Sequence, residues 1–196
     1  MIDLFKRNGR DAAPVTGGSI CVWGAAGSPG KSTLALNIAC ELATAGRRVL
    51  LVDLDTYASS IGTMLGISEP PPGLAAAARL VGQDRLDREQ FERLAIEYQV
   101  GHGSLSVLTG LGSEPRWPEI TAEKTRGLIA KALESYEFVV LDLATPLEAG
   151  LKQVGGIVDR NVATRTALEV CDTTIAVLSA DQVGVKRFCE SYEQLR

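Results

Sequence analysis

Residues 19–40 read SICVWGAAGSPGKSTLALNIAC, and this stretch decides the fold. Ile20, Cys21, Val22 and Trp23 make an apolar run of strand length. A turn of small residues follows, with Gly24, Gly27, Pro29 and Gly30. Lys31-Ser32-Thr33 then opens a segment with Leu34, Ile38 and Leu42 at helical spacing, stopped by Gly46. Strand, glycine-rich turn and helix with Gly-Lys-Ser at its first turn form a phosphate-binding loop. Each residue type has its own reason. Glycines let the backbone curl so that successive N–H groups face an anion. The helix start adds unpaired N–H groups and the positive end of its dipole. Lys31 brings a charge to the outer phosphates, and the Ser32 hydroxyl suits Mg²⁺. The plainer alternative is a glycine-rich turn that happens to carry Lys-Ser.

The common spacing G-x-x-x-x-G-K-[ST] wants glycine at position 25, where this chain has Ala25. The match is instead to K-G-G-x-G-K-[ST], and Gly27, Gly30, Lys31 and Ser32 fit it. In this the chain resembles the deviant P-loop ATPases of the ParA/MinD family. That resemblance implies ATP and Mg²⁺ as ligands, with Gly27, Ser28, Gly30, Lys31, Ser32 and Thr33 around the nucleotide. The family's signature lysine falls at Ala26, its second glycine at Ser28, and Pro29 removes one N–H donor. Nucleotide binding is expected; rapid hydrolysis does not follow.

With 196 residues and 45% hydrophobic content there is room for one α/β domain with a real core. A net charge of −4 gives no overall basic signature for nucleic acid or anionic lipid. Cys21, Cys40, Cys171 and Cys189 lie far apart beside a single histidine, His102, which argues against a zinc site or a disulfide framework and for the cytoplasm. The apolar runs are of strand length and interrupted by charge, so no spanning helix is expected.

Residues 1–18 read as a tail, in which Ile2, Leu4 and Phe5 beside Lys6, Arg7 and Arg10 are too short a group to hold a bilayer alone. The nucleotide domain is expected over 19–196. Its second motif is VLLVDLDTYASSIGTMLGI, from Val49. An apolar run ending in acid is what a buried parallel strand looks like when its C-terminal end faces a site. Asp53 and Asp55 at i and i+2 share a side. The plainer alternative is that Asp55-Thr56 starts a turn and caps the next helix. The family resemblance implies more: Asp53 near the Mg²⁺ shell and Asp55 orienting the attacking water, although Thr56 stands where the family has proline.

Glu69-Pro-Pro-Pro-Gly73 is a rigid break. Helical segments are expected over Leu74–Val81 and from Asp87, with Gln90 as capping partner and Phe91, Leu94, Ala95 and Tyr98 as a core stripe. Leu105–Thr109 reads as a strand, and the loop 110–118 carries Arg116 and Trp117, which would either meet a partner or fold back. A helix over Thr121–Ser135 offers Leu128, Ile129, Ala132 and Leu133 to the core. Phe138-Val-Val-Leu-Asp142 then has the form of a Walker B strand, with Asp142 a metal ligand. Residues 143–158 read as a loop, Asp159–Val170 as a helix, and Asp172–Leu178 as a fifth strand. Asp181 caps a last helix with Val185, Phe188, Cys189, Tyr192 and Leu195 inward.

The segment DRNVATRTALEVCDTTIAVLSADQVGVKRF, VWGAAGSPGKSTLALNIA and VLTGLGSEPRW resemble CpaE- and TadZ-like MinD relatives of high-GC bacteria, a group that also departs from the signature lysine. In the family the sheet continues past the fifth strand, so the resemblance implies a fragment or a shortened relative here.

The expected architecture is a three-layer, doubly wound α/β fold with a mainly parallel sheet and the nucleotide at the strands' C-terminal ends. The expected function is an ATP-binding, weakly hydrolysing positional switch for pilus or secretion localisation, septum placement or chromosome partitioning. Lys31 and Asp55 would be its catalytic residues and Ser32, Asp53 and Asp142 its metal ligands. A nucleotide-dependent homodimer would meet a protein partner of the localisation apparatus; Lys186, Arg187 and Arg196 are too few to argue for DNA. The alternatives are a scaffold that works through protein contacts and a bacterial tyrosine-kinase-like domain. Against the last, the final residues carry one tyrosine, Tyr192, and no cluster.

Overall fold

The computed structural model describes residues 17–153 and 156–195, and the tail segment with Ile2, Leu4 and Phe5 lies outside them. Strand β1 (Gly18–Gly24) runs into helix α1 (Lys31–Thr44), which returns the chain to β2 (Val49–Leu54). Three short helices follow, α2 (Ile61–Met64), α3 (Gly73–Val81) and α4 (Arg88–Leu94). Strands β3 (Ile96–Val100) and β4 (Gly103–Leu108), a 3₁₀ turn (Glu114–Glu119), α5 (Ala122–Ser135) and β5 (Phe138–Leu143) come next. A hairpin, β6 (Leu151–Gln153) and β7 (Gly156–Val158), leads to α6 (Val162–Val170), β8 (Thr173–Val177) and α7 (Gln182–Tyr192).

The main sheet has six strands in the order β3-β4-β2-β5-β1-β8. All its pairings are parallel except β3 with β4. Strands β2 and β5, VLLVDL and FVVLDL, are buried at every position, as expected of central strands covered on both faces. Alternation divides their side chains between two layers. Leu50, Val52, Leu54, Leu141 and Leu143 join the core under α3, α5 and α6, while Val49, Leu51 and Val140 join the layer under α1. This is the three-layer doubly wound α/β architecture that the sequence leads one to expect.

Leu34, Ile38 and Leu42 lie on α1 as their spacing predicts, while its buried stripe is Ala35, Ala39 and Ala43. Small side chains let the helix lie close on the sheet beside the loop that precedes it. Several other local expectations are corrected. Tyr98 does not extend the α4 stripe. The helix ends at Leu94, Ala95 turns extended (φ −78°, ψ 146°), and Ile96–Val100 pairs antiparallel with β4 as an edge strand. The β-branched and aromatic residues of IEYQV favour that pairing, and Gly101 (φ +57°) serves the turn. Residues 143–158 contain the β6–β7 hairpin as well as loop. Leu133 is exposed, although Leu128, Ile129 and Ala132 are buried as expected. On α7, Val185 and Cys189 face outward and Phe188 packs inward, because the helix flanks a half-buried edge strand. The Leu195 side chain lies outside what is described. Trp117 folds back against the core.

The helix starts expected at Asp87, Thr121 and Asp181 are capped by those side chains, whose oxygens accept from the N–H groups of Gln90, Lys124 and Gly184. No helix among the described residues is long and apolar enough to cross a membrane.

Candidate functional site

The C-terminal ends of β1, β2 and β5 meet beneath the loop between β1 and α1. Gly24 ends β1, where a β-carbon would stand 2.7 Å from the Val177 carbonyl oxygen and 3.1 Å from Lys31 Cγ. Only glycine lets the chain turn there. Gly27 (φ +80°) and Gly30 (φ +88°) are left-handed, and Gly30 is the N-cap of α1 with no side-chain cap. The first-turn N–H groups of Lys31, Ser32 and Thr33 therefore start the helix without a capping acceptor. The Ser28 N–H is turned inward to the Ala25 carbonyl at 3.0 Å. The result is a curled backbone before an uncapped helix start, a cradle for an anion.

Lys31 projects from α1 to the end of β5. Its Nζ donates to the Leu143 carbonyl at 2.5 Å and stands 3.8 Å from Asp55 Oδ2, and both side chains are mostly buried. The three acids behave differently. Asp53, fully buried, is used by backbone: Oδ1 accepts from Asp55 N at 3.3 Å, and Oδ2 from Ser60 N and Ile61 N at 2.9 and 3.1 Å. Burial pushes its carboxyl up to about 7, with the Ile61 N–H pulling the other way and the charges of Asp142 and Asp55 adding to the rise. Asp55 Oδ1 accepts from Tyr57 N and Ala58 N at 2.8 and 3.0 Å, a local turn that starts the following loop. Asp142 is fully buried and neither carboxylate oxygen has a hydrogen-bond partner. Burial raises its carboxyl as well, opposed by the Ser32 hydroxyl and the Lys31 charge.

A bare buried carboxylate is costly unless a cation uses it. With Ser32 and Lys31 beside it at the mouth of an anion cradle, Asp142 fits a divalent cation that arrives with a phosphate. Mg²⁺ needs only one or two carboxylates when phosphates complete its shell. The Ser32 hydroxyl and the Asp142 carboxylate lie together where it would sit, and Asp53, whose oxygens accept from the start of α2, stands in register beside Asp142.

Sequence reasoning missed the group that pins the Asp55 loop. Arg160 lies with its guanidinium 3.9 Å from the Tyr57 ring centroid and donates to the Thr56 carbonyl, through Nη2 at 2.6 Å. The Tyr57 hydroxyl donates to Asn161 Oδ1 at 2.6 Å. These partners lie about a hundred residues apart, and DRN in the sequence marks only a helix start. Arg187 was also missed as a site residue: its Nη1 donates to the Ala26 carbonyl at 3.2 Å. A cavity of about 260 Å³ is bounded by Asp53, Tyr57, Pro71, Thr109 and Gly110.

A family model, the CobQ/CobB/MinD/ParA nucleotide binding domain, matches residues 20–190. The chain is 30% identical over 129 residues to an iron-sulfur cluster carrier protein of Aquifex aeolicus, covering 63% of this chain and 32% of that protein. It is 30% identical over 139 residues to the chromosome partitioning protein ParA of Myxococcus xanthus, covering 70% of this chain and 48% of that one. Among solved structures, the septum site-determining protein MinD of Pyrococcus horikoshii, complexed with Mg-ADP, superposes with a TM-score of 0.63 at 19% identity, over 90% of this chain and 63% of that one. The chain thus spans from about a third to less than two thirds of the length of these relatives.

Proposed function

Because the chain belongs to the CobQ/CobB/MinD/ParA nucleotide-binding domain family, we propose that it is a Mg-ATP-dependent positional switch of the MinD/ParA kind, on the CpaE/TadZ-like side of the family. In this reading the backbone of Gly27–Gly30 and the start of α1 hold the phosphates, and Lys31 moves from the Leu143 carbonyl to the outer ones. Ser32 and Asp142 hold Mg²⁺, which neutralises charge on the phosphate oxygens. Asp53 fixes the start of α2, so that the loop carrying Asp55 has one geometry. Asp55 orients the attacking water, slowly, with Ala26 where the family has its lysine. ATP would join two copies, and the dimer would engage a localisation, septum or partition apparatus in the cytoplasm.

The observation that carries this reading is the Asp142 carboxylate, buried and without a hydrogen bond beside Ser32 at the end of the cradle. A second reading, a scaffold that binds nucleotide without turnover, is favoured by Asp55, whose Oδ1 is taken by two N–H groups and whose Oδ2 faces Lys31. Light scattering and phosphate release separate the two. The switch predicts a doubled mass with Mg-ATP, absent with Mg-ADP, and slow release abolished in Asp55→Asn. An unchanged mass and no release would leave the scaffold.

A further inference from the structure

The loop is visited by a second cation. Arg187 sits in the middle of α7, and a β-carbon on Gly27 would fall 2.6 Å from its Nη1. The guanidinium therefore lies directly against the left-handed glycine of the cradle, where it donates to the Ala26 carbonyl. That is its one hydrogen bond among the described residues, and no carboxylate stands within ion-pair distance of it there. The side chain is exposed, so its other donors are open to a ligand from solution. Lys186, the residue before it, pairs with Glu190 at 2.8 Å, whereas the carboxylate that senses the Arg187 charge is Asp181 at the start of the helix.

The position is built. Asp181 Oδ1 caps α7 through Gly184 N at 2.8 Å. Gly184 packs against the Ser179 carbonyl so closely that no side chain fits. Phe188, next to Arg187, packs on Trp23 of β1 with centroids 6.4 Å apart, and stacks on Tyr192. Trp23 is itself tied by its indole N–H to the Thr145 carbonyl at 2.9 Å. The helix is thus anchored to the strand that feeds the loop, and Arg187 is held over that loop from the same chain.

We propose that Arg187 is a phosphate-binding residue of the cradle, which supplies from its own chain a positive charge at Ala26 and Gly27 in addition to that of Lys31. This rests on the nucleotide reading given above. A guanidinium presents a planar fork suited to a phosphate's paired oxygens. Its contribution grows with the charge of the phosphate chain, so Arg187 sets a preference for the triphosphate over the diphosphate.

The test is calorimetric titration of Mg-ATPγS and Mg-ADP into the wild-type chain, Arg187→Gln and Arg187→Lys, with Lys31→Ala alongside. Arg187→Gln is expected to weaken Mg-ATPγS about tenfold or more and Mg-ADP by a few-fold at most, with Arg187→Lys recovering part of the loss and thermal unfolding unchanged. If both nucleotides weaken equally, or neither does, Arg187 is only a latch between α7 and the loop and the proposal is wrong. If the wild-type chain binds neither nucleotide, the underlying reading fails first, and the two failures are told apart by that arm.

Discussion

Asp53 and Asp142 are register partners on the adjacent parallel strands β2 and β5, and their carboxylates have opposite surroundings. Asp53 accepts three backbone N–H groups, while Asp142, equally buried, accepts none. One carboxylate builds the loop; the other is kept bare for a ligand. Replacing the bare one should therefore separate stability from function. Asp142→Asn removes a carboxyl whose charge is disfavoured by burial and is expected to raise the ligand-free protein's stability by about 1–3 kcal/mol, read as the urea midpoint at pH 7.5. The same variant should lose the Mg²⁺ dependence of nucleotide binding. A destabilised variant would mean that Asp142 is satisfied in the free protein.

Asp53 gives a pH signature. Its carboxyl rises from 3.8 to about 7 on folding, so between those values the native state binds more protons than the unfolded chain. The stability it contributes is full below about pH 4 and is lost as pH rises through 7. Asp142 shifts the same way. Without nucleotide, the wild-type chain should lose stability relative to Asp53→Asn from pH 5 to 7.5. An opposite slope would show that the paired acids are stabilised as anions.

The cradle glycines should fail to different degrees. Gly30→Ala meets no atom within 4 Å but forces alanine to φ +88°, at about 1–2 kcal/mol. Gly27→Ala carries the same penalty and also pushes aside the flexible end of the Arg187 side chain, which holds the Ala26 carbonyl. Thermal melts should rank Gly27→Ala as the more damaging, and Arg187→Ala in the Gly27→Ala background should narrow the gap between them.

Arg160 positions the Asp55 loop through the Thr56 carbonyl and the Tyr57 ring. Arg160→Ala is expected to lower phosphate release about tenfold or more while nucleotide affinity changes less than threefold, since the Thr56–Tyr57 segment loses its clamp. Equal losses in both would place Arg160 in the binding site itself.

The parts of the site that lie close in sequence were legible. Gly27, Gly30, Lys31 and Ser32 sit in one turn whose glycines and charge need no distant partner, and the buried strands VLLVDL and FVVLDL announce themselves by composition. Their register was not legible, and it is register that sets Asp53 beside Asp142. Nor did any local pattern show that Arg160 would stack on Tyr57, or Arg187 lie on Gly27, because both contacts depend on how α6 and α7 dock. The Ala35–Ala39–Ala43 stripe was hidden by larger apolar neighbours at the same period. Tyr98 kept helical spacing with Phe91 and yet turned into a strand, because the partner strand β4 decided the matter.

The most direct test of nucleotide binding at this loop is calorimetric titration of Mg-ATP into the wild-type chain and Lys31→Ala at equal protein concentration, each repeated with EDTA. Micromolar binding that is Mg²⁺-dependent in the wild type, and weakened about a hundredfold or more in Lys31→Ala, is the expected result. No heat in the wild type at millimolar Mg-ATP, or equal affinity in the two proteins, would contradict it.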